Sequence, residues 1–353
     1  MEKEKKTAIF SLKQADAAGS VAEKYRALGG NTGNLVFDEA LSCLLDADRV
    51  YWDTPPEILS RYDRFVTTSY IWIRKGQEVA GSLKAVGDKP LIPMSVGLQA
   101  DDYDPAFPIH PQVVKELKAI EERCVIGCRG AYTAEILHRH GIRNLMVIGC
   151  PSVYPCIREG TFVRQSADCR PQRTAANFAT FWRKLREYEV RFLTWLAQNR
   201  FTFIEQTQAG LEEAYWTGKP EDFRLVSRWL EGKKVFFSCR EWQEEMMRHD
   251  FCLGYRFHGN VMAVRCGIPA LFLCADSRVR ELCEFFRFPM LPAGAFDETK
   301  PIEYWYEKAD YSGFHQQLGQ KRRILEEFCR KNSLPLRGLK SCGSPLPMVK
   351  WQI

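Results

Sequence analysis

The sequence predicts an α/β protein with two Rossmann-like domains, each built on a parallel sheet, that face each other across a cleft. Three observations predict this fold class. With 353 residues, the chain exceeds the size at which a single hydrophobic core usually stops growing. Short β-rich runs alternate with helical patterns, as in the βαβ units of parallel sheets. The alternation starts again in the second half of the chain, which predicts a second domain of the same kind.

The first domain is predicted to span residues 1–156. Its β-rich runs lie at residues 8–10, 49–51, 65–68, 91–96 and 145–148. Between them, apolar residues recur at helical spacing at residues 35–45, 113–123 and 133–140. Because strand and helix patterns alternate throughout, this part of the chain predicts one doubly wound domain.

The second domain is predicted to span residues 173–330, after a linker at residues 157–172. The linker is a polar stretch that contains Gly160 and Pro171. The β-rich runs of the second domain lie at residues 201–204, 235–237, 251–253 and 270–273. Residues 331–353 are predicted to form a C-terminal tail, whose last part is rich in glycine and proline. Ligands of two such domains bind in the cleft between them, beyond the carboxyl ends of the strands.

Charge and composition argue against nucleic acid as a partner. The 50 Lys and Arg residues against 44 Asp and Glu residues leave a net charge of +6, a mild excess that suits an anionic ligand or an acidic membrane surface. The longest basic run is the short segment 321–323, and no RNA-binding or zinc-finger signature is present. We therefore expect no nucleic acid among the partners.

The 13 cysteines indicate a reducing compartment. They are odd in number and lie in apolar segments, which is typical of buried free thiols rather than of a disulfide framework. Cys124 and Cys128, like Cys150 and Cys156, lack the tight spacing and the second half of a zinc site. We therefore expect no metal site.

The sequence predicts a cytoplasmic location. The apolar run near the amino terminus is too short for a signal peptide, and no run reaches the length of a membrane span. Residues 314–330 carry a basic amphipathic helix pattern with two open interpretations. The helix either packs on the fold or makes peripheral contact with the inner face of the cytoplasmic membrane.

Residues 251–273 form the most informative stretch of the sequence. They are predicted to run from a strand through a loop and a short helix into the next strand. Gly259 permits close backbone approach, Asn260 is predicted to cap the helix, and Gly267 ends it. The start of such a helix, beyond the carboxyl edge of a sheet, offers free N–H groups to an anion.

Arg256 and His258 lie at this predicted helix start. An arginine binds a carboxylate or a phosphate through two parallel hydrogen bonds, and a histidine donates or accepts a proton near neutral pH. The pair therefore indicates a site that binds an anion and transfers a proton. In the alternative interpretation, Arg256 pairs with an acidic neighbour and His258 packs under the loop.

A second loop opens a predicted helix near the amino terminus. Residues 29–36 are rich in glycine and asparagine, and such a loop suits phosphate groups or sugar hydroxyls. No Gly-Lys-Ser/Thr follows, so the segment is not a Walker loop, and its glycines lack the spacing of a dinucleotide fingerprint. The alternative is a capped helix that follows a mobile loop.

These two loops carry a resemblance to a known family. Residues 31–34, which precede an apolar helix, resemble the amino-terminal signature of the polysaccharide pyruvyltransferases. Residues 256–259, with 267–269, resemble the carboxyl-terminal signature of the same family.

Two further segments agree with this resemblance. Residues 127–134 with 140–142 resemble the family's strand-Arg-helix segment, and residues 276–282 resemble the segment after its last core strand. The likeness runs in the right order over about residues 7–290, which is most of the chain. One departure lies at residues 67–72, where many members have a glycine-rich turn.

The resemblance implies a fold similar to that of two-domain glycosyltransferases of the B type. It also implies phosphoenolpyruvate as the donor substrate, no further cofactor, and a sugar of a surface polysaccharide or of its lipid-linked precursor as the acceptor. The reaction would form a pyruvate ketal on that sugar and release phosphate. Such an enzyme must supply an acid, a base and a clamp for the anionic donor.

The resemblance further assigns roles to residues. His258 is expected to be the proton donor or a phosphate contact, and Arg256 to hold the carboxylate or phosphate of the donor. The residues expected to contact the substrates are Arg129, Asn34, Gly33, Asn31, Gly259, Asn260 and Glu205. For the general base, Glu205 and Asp38 are both open.

Two other functions stay open. A nucleotide-sugar-dependent glycosyltransferase of the same fold would need a base-and-ribose pocket, for which residues 276–281 offer no convincing match. A non-catalytic sugar-binding protein would have no need of a titrating group beside Arg256. The aromatic residues Trp72, Tyr103, Tyr215 and Trp216 either stack on sugar rings or belong to the core.

Overall fold

The computed structural model describes residues 5–13, 18–78, 83–164, 173–179, 181, 183–208 and 210–338. Its strands are β1 (Thr7–Phe10), β2 (Asp48–Val50), β3 (Arg64–Thr67), β4 (Ile73–Arg74), β5 (Leu91–Pro93), β6 (Leu98–Gln99), β7 (Ile126–Cys128), β8 (Leu145–Val147), β9 (Thr174–Asn177), β10 (Thr202–Phe203), β11 (Phe251–Gly254), β12 (Ala270–Cys274) and β13 (Met290–Pro292). Its helices are α1 (Val21–Ala27), α2 (Asn34–Leu44), α3 (Pro56–Leu59), α4 (Pro111–Glu121), α5 (Ala131–Arg139), α6 (Tyr154–Glu159), α7 (Glu187–Gln198), α8 (Pro220–Glu231), α9 (Cys239–Met246), α10 (Phe257–Arg265), α11 (Ser277–Phe286), α12 (Ile302–Glu307) and α13 (Ser312–Lys331). Short 3-10 helices lie at Leu83–Ala85, Pro151–Val153, Glu213–Tyr215 and Ala293–Ala295.

The first sheet is parallel, with strand order β2-β1-β3-β5. Every residue of β1 and β3 is buried, and because side chains alternate along a strand, both faces of the sheet must be covered. A parallel bridge between Val96 and Cys128 continues the sheet into the pair β7-β8. The chain passes from β1 to β2 on one side and returns to β3 on the other, so a topological switch point lies between β1 and β3.

The second sheet is also parallel, with strand order β10-β9-β11-β12-β13. Here the chain passes from β9 to β10 on one side and returns to β11 on the other. The second topological switch point therefore lies between β9 and β11. The predicted fold class, with two Rossmann-like domains on parallel sheets, is confirmed.

One interior strand of the second sheet, β9, was not predicted from the sequence. β9 consists of a threonine, two alanines and an asparagine, and of these only the threonine has a high strand propensity. It forms because β10 and β11 supply hydrogen bonds on both of its edges. Tertiary pairing thus overrides the local preference of these residues.

The predicted strand at residues 235–237 is wrong. In the structure, the chain makes only an isolated parallel bridge between Lys234 and Ile204 before α9 begins. Phe236, which gave this segment its β-rich character, lies with its ring 6.2 Å from that of Trp242 on α9. The aromatic side chain therefore packs on a helix, and no further strand follows at this edge of the sheet.

Helix α13 and the residue after it pack against the first domain. Phe328 of α13 is buried, and the Asn332 side chain makes two hydrogen bonds with the backbone of Val125, at 2.8 and 3.1 Å. The ammonium group of Lys321 lies 3.7 Å from the centroid of the Phe285 ring. One residue of the basic run at 321–323 is therefore covered by the fold.

The predicted domain boundaries at 1–156, 157–172, 173–330 and 331–353 stay predictions. Residues 165–172 of the linker and 339–353 of the tail lie outside the described residues. The eleven cysteines in the described part of the chain are free thiols. None of the helices described here is both long and apolar enough to cross a bilayer. The cytoplasmic location and the peripheral membrane contact also stay predictions.

Helix α11 of the second domain joins the two domains. The Ser277 backbone N–H donates to the Ala100 carbonyl (2.8 Å), and the Ser277 hydroxyl donates to the Leu98 carbonyl (3.1 Å). One turn later, the Glu281 carboxylate accepts from both the backbone N–H (3.1 Å) and the hydroxyl (2.8 Å) of Thr133. A buried carboxylate thus caps the start of α5 from across the domain interface.

Glu281→Gln is expected to change the pH dependence of stability. Burial raises the pKa of Glu281 to about 7, although the Arg129 guanidinium opposes the shift. Because the unfolded pKa is about 4.3, the folded chain binds the extra proton, and stability from this group is lost as pH rises between those values. Glutamine keeps the shape without the titration. As the pH rises from about 5 to about 8, the free energy of unfolding of the variant should therefore increase by on the order of 2 kcal/mol relative to that of wild type.

Urea unfolding at the two pH values measures this difference. Taking the difference between variant and wild type removes the contributions of other groups, such as His258, that titrate in the same range. Glu326→Gln, on the exposed side of α13, is the control, and it should give curves parallel to wild type. If the free energies of unfolding of Glu281→Gln and wild type also changed in parallel with pH, the pKa of the Glu281 carboxyl would not be raised by its burial.

Candidate active site

A cleft of about 1000 Å³ separates the two sheets and is lined by residues of both domains. From the first domain it receives residues that follow the carboxyl ends of β1, β2 and β3, namely Ser11, Leu12, Trp52 and Thr68. From the second domain it receives Arg256, which follows β11. Both topological switch points therefore face the same cleft, which is where α/β proteins bind their ligands.

The loop between β11 and α10 is shaped by Gly254 and Asn177. Gly254 has a φ of 154°, and a Cβ there would lie 2.2 Å from the Asn177 carbonyl oxygen, so only glycine fits. The Arg256 backbone N–H donates to Asn177 Oδ1 (2.6 Å), and α10 begins at Phe257 with Arg256 as its N-cap. The prediction that Asn260 caps this helix is wrong, because the helix begins three residues before it.

Asn260 supports the loop from beneath. It is fully buried and is not among the residues that line the cleft. Its Nδ2 donates to the Gly254 carbonyl (2.9 Å), and its Oδ1 accepts from Asn177 Nδ2 (2.8 Å). These bonds tie α10 to the ends of β9 and β11. Asn260 was expected to contact the substrate, but in the structure it supports the loop that carries Arg256.

Asn260→Ala is expected to lower stability more than it lowers affinity for phosphoenolpyruvate, the ligand that the resemblance implies. The change leaves the Asn177 amide and the Gly254 carbonyl without their partners, which costs about 2–3 kcal/mol. Thermal unfolding measures the loss, and calorimetric titration of the folded variant measures binding. As a control, Asn199→Ala removes one hydrogen bond, from the amide of an exposed side chain to the Trp195 carbonyl, and should cost less than about 1 kcal/mol. A stable Asn260→Ala variant that binds phosphoenolpyruvate more weakly than wild type would instead place this amide in ligand contact.

Arg256 presents its guanidinium group to the cleft. Its Nε donates to the Phe178 carbonyl (2.9 Å), and its Nη2 lies 3.4 Å from the Thr207 hydroxyl. Burial lowers the pKa of Arg256 to about 10, and the nearby Glu205 carboxylate opposes that shift. The group is therefore positively charged at neutral pH, and its recorded partners are neutral oxygens rather than the acidic neighbour of the alternative interpretation.

Two further arginines line the same cleft. Arg129 follows β7, and its Nε lies 3.4 Å from the Ser95 hydroxyl; burial lowers its pKa. Arg278 lies in the first turn of α11 and donates to Asp276 Oδ2 (2.7 Å). Burial raises the pKa of Asp276, but the Arg278 guanidinium outweighs it and holds that pKa below its usual value. We refer to Arg129, Arg256 and Arg278 as the arginine cluster.

His258 stands in the first turn of α10, within the field of the arginine cluster. Burial, followed by the charges of Arg129, Arg278 and Arg256, lowers the pKa of His258 to about 3. Its Nε2 lies 3.6 Å from Cys150 Sγ. The imidazole is therefore neutral at neutral pH while the cleft holds no anion.

The glycine and asparagine loop of the first domain docks onto the second domain. Asn31 forms an antiparallel bridge with Thr207, and the Thr32 backbone N–H donates to the Gln206 carbonyl (2.8 Å). A Cβ on Gly33 would lie 3.3 Å from the Cβ of His258. The absence of a side chain at Gly33 therefore lets this loop approach the histidine.

The side chains of Asn31 and Asn34 hold the shape of this loop. Asn31 Oδ1 accepts from the Gly33 backbone N–H (2.9 Å), and Asn34 Nδ2 donates to the Leu28 carbonyl (2.9 Å). α2 begins at Asn34, with Gly33 as its N-cap. Both asparagines line the cleft, so each still has polar atoms available to a ligand.

Gln206 is a cleft residue that the sequence did not reveal. It is buried, and its Nε2 has no hydrogen-bond partner among the described residues. Cβ atoms added to Gly33 and to Gly259 would lie 2.5 and 2.7 Å from the amide of this side chain. Gln206 thus lies between one glycine of each domain, and no local motif marks such a position.

The two candidates for the general base occupy different places. Glu205 is buried, and its Oε1 accepts from the backbone N–H groups of Gln206 (2.8 Å) and Thr207 (2.9 Å); it is not among the residues lining the cleft. Asp38 does line the cleft, where it accepts from the Leu12 backbone N–H (3.1 Å) and pairs with Arg49. Burial raises the pKa of Asp38 despite that pair. The structure thus brings Asp38, and not Glu205, to the cleft.

The cleft combines three kinds of chemical group. The arginine cluster supplies positive charge from both domains, His258 supplies an imidazole that is neutral without a ligand, and Asp38 supplies a carboxylate. Within the described ranges, no group of three or more His, Cys, Asp or Glu side chains is placed to hold a metal ion. The arrangement can bind an anion and move a proton.

Comparison with known proteins adds a family match. A family model described as polysaccharide pyruvyl transferase matches residues 62–274, which is more than half of the chain. This range includes the arginine-bearing segment after β7 and the whole of α10. Among curated protein sequences, none matches the chain.

Solved structures show distant similarity. The Anabaena protein HepE in complex with UDP and glucose is 12% identical, with 93% of this chain and 99% of that chain covered and a TM-score of 0.46. A putative UDP-N-acetylglucosamine 2-epimerase from Listeria monocytogenes is 13% identical, with 92% and 95% covered and a TM-score of 0.43. An uncharacterised protein from Klebsiella pneumoniae is 12% identical, with 80% and 89% covered and a TM-score of 0.42.

Proposed function

Because the chain belongs to the polysaccharide pyruvyl transferase family, we propose that it transfers a pyruvyl group from phosphoenolpyruvate to a sugar of a surface polysaccharide or of its lipid-linked precursor. The observation that supports this proposal is the convergence of Arg129, Arg256 and Arg278 on His258 in one cleft. Phosphoenolpyruvate carries a carboxylate and a phosphate on the same carbon atom. A cluster of three guanidinium groups suits that pair of anions.

Electrostatics favours a multiply charged ligand here. After burial, the charges of Arg129, Arg278 and Arg256 lower the pKa of His258, so the three guanidinium groups act on the same part of the cleft, although Arg278 also pairs with Asp276. Two unit charges 4 Å apart interact by about 4 kcal/mol near a protein surface, so a bound trianion replaces repulsion with attraction. The amino-terminal end of α10 adds partial positive charge on the same side.

The proposed reaction assigns one proton transfer to His258. A proton moves to the methylene carbon of the donor, and a sugar hydroxyl attacks the adjacent carbon and gives up its own proton to a base. The bond from that carbon to the phosphate oxygen then breaks, phosphate leaves, and a second sugar hydroxyl closes the ketal. Two carbon–oxygen bonds form and one breaks. The two sugar hydroxyls release two protons. One of them restores the proton that the acid gave to the methylene carbon, and the other leaves with phosphate.

Binding of the donor prepares His258 for this role. The imidazole is neutral in the free protein because burial, and after it the charges of the arginine cluster, disfavour a further positive charge. The negative charges of phosphoenolpyruvate offset that cluster and raise the pKa of His258 when they bind. An acid is then present only in the donor complex. Asp38 is the proposed base, because it lines the cleft.

The test is a transfer assay with purified protein. Phosphoenolpyruvate and a panel of pyranosides, including lipid-linked oligosaccharides, are incubated with the chain. Phosphate release and the mass of the acceptor are then followed together. The proposal expects phosphate release that depends on the acceptor, with an acceptor product heavier by one pyruvate ketal. Thermal stabilisation by phosphoenolpyruvate should accompany it.

Two results would overturn this proposal. Stabilisation by a nucleotide sugar but not by phosphoenolpyruvate would favour a glycosyltransferase. Stabilisation by sugars alone, without phosphate release for any acceptor, would favour a non-catalytic sugar-binding protein. Both alternatives keep the same cleft and change only what fills it.

A further inference from the structure

Two tryptophans are exposed inside the cleft. Among the described residues, Trp52 and Trp72 are the tryptophans with exposed side chains, at 48% and 40%, and both line the cleft. Of the other aromatic residues considered from the sequence, Tyr103, Tyr215 and Trp216 are not among the lining residues. Two large indole rings left open in one cavity indicate a surface that a ligand covers.

The Trp52 ring is held in a fixed orientation from behind. It stacks on the Phe10 ring, with centroids 3.9 Å apart and planes 4° from parallel. Phe10 in turn stacks on Phe65 at 5.3 Å, and both phenylalanines are buried. One face of Trp52 is therefore covered by the core of the first domain. Because the side chain is nearly half exposed, the opposite face is left for the cleft.

Trp72 lies where the sequence departs from the family's glycine-rich turn. The Arg74 guanidinium lies 5.4 Å from the centroid of its ring and donates from Nε to Gln99 Oε1 (3.2 Å). Hydroxyls of Thr67 and Ser69 line the same part of the cleft and are 2.7 Å apart. An aromatic face with amide and hydroxyl groups beside it is the usual composition of a small-ligand pocket.

We propose that Trp52 and Trp72 form the acceptor subsite, on which the apolar C–H face of a pyranose ring stacks. A pyranose has one face of C–H bonds, which meets the negative face of an indole, and a rim of hydroxyls, which meets the polar side chains. This inference rests on the proposed function and deepens it. It places the acceptor on the first domain, across the cleft from Arg256, Arg278 and His258 of the second.

Three of the four groups that suit the anionic donor lie on the second-domain side of the cleft, and Arg129 is the one from the first domain. Arg256, Arg278 and His258 belong to the second domain, and the anionic donor suits that side. The tryptophans follow β2 and β3 of the first sheet, at its carboxyl edge. Asp38, the proposed base, also belongs to the first domain and lines the cleft. A pyranose on the tryptophans would therefore share its half of the cleft with the group that takes its proton.

The test measures acceptor binding directly, in the presence of phosphoenolpyruvate. Saturation-transfer NMR is recorded with methyl pyranosides of galactose, glucose, mannose and their N-acetylated forms. Trp72→Ala and Trp52→Phe are compared with wild type, and Phe162→Ala, an apolar residue 59% exposed outside the cleft, is the matched control. Trp52→Phe keeps the stack on Phe10, so the variant stays folded. Each cleft variant should bind the preferred pyranoside about five- to tenfold more weakly.

Thermal stabilisation by phosphoenolpyruvate distinguishes a failure of the acceptor subsite from a failure of the proposed function. Phosphoenolpyruvate should stabilise both tryptophan variants as much as wild type. Unchanged pyranoside binding in both variants, or no binding of any pyranoside to wild type, overturns the acceptor subsite while leaving donor binding intact. If phosphoenolpyruvate did not stabilise even the wild-type protein, the proposed function would be overturned instead.

Discussion

Replacing Arg256 with alanine is expected to lower kcat/KM for phosphoenolpyruvate by about 100-fold or more. The guanidinium is charged and faces the cleft, and within the described part of the chain it donates to the neutral oxygens of Phe178 and Thr207, so much of its hydrogen-bonding capacity is available to an anion. Loss of such a charge-assisted contact typically removes about 3 kcal/mol of transition-state stabilisation. Steady-state kinetics with varied donor measures the effect.

Two further variants make this result specific. Arg256→Lys keeps the charge but loses the planar fork, so it should recover only part of the rate. Arg240→Ala removes an exposed arginine that pairs with Glu244 on α9, outside the cleft, and should behave as wild type. A folded Arg256→Ala variant with unchanged donor kinetics would show that the donor does not contact this group.

Replacing His258 with alanine is expected to lower kcat by about 100- to 10,000-fold while the donor still binds. General acid catalysis by a positioned side chain contributes about that much. The imidazole lies among the arginines that are proposed to hold the donor, so its loss removes the proposed acid and few of the proposed binding contacts. A combination of rate measurements and calorimetric titration of the donor separates the two effects.

Donor binding should also take up a proton at neutral pH. Burial and the arginine charges lower the pKa of His258 to about 3, so the free protein holds a neutral imidazole, and the negative charge of a bound donor should raise that pKa toward the working pH. Calorimetry in buffers with different ionisation enthalpies reports the proton. Uptake should approach one proton in wild type and vanish in His258→Gln.

His315→Gln is the control for both measurements. His315 stacks on Phe162 with centroids 4.1 Å apart, outside the cleft, and its pKa is also lowered by burial. This variant should keep wild-type turnover and proton uptake. Equal uptake in His258→Gln and wild type would assign the proton to another group and remove His258 from the role of acid.

Much of the first domain follows from local pattern. The β-rich runs at residues 8–10, 49–51 and 65–68 became β1, β2 and β3, because buried parallel strands need apolar residues in succession. β9 escaped prediction because its small residues suit the centre of a sheet only when β10 and β11 lie beside it. Residues 235–237 have the composition of a strand but do not form one, because the Phe236 side chain packs on α9.

The site divides in the same manner. Arg256 and His258 could be selected from sequence because they sit next to a helix start that follows a strand, and both features are local. Arg278 and Gln206 could not, since their places in the cleft depend on how α11 and the end of β10 meet the first domain. Asn260 looked like a ligand contact or a cap, and only its buried bonds to Gly254 and Asn177 show that it supports the loop.

By itself, the sequence determined the alternation of strand and helix, the two parallel-sheet domains and the loops at which ligands could bind. These follow from residue preferences and spacings that act over a few positions. Tertiary structure alone decided which charged groups share the cleft and how they change one another. The depressed pKa of His258 depends on arginines 129, 256 and 278, which are far apart in the chain. Coulomb interactions depend on distance in space and on exclusion of water, and neither can be read along a chain.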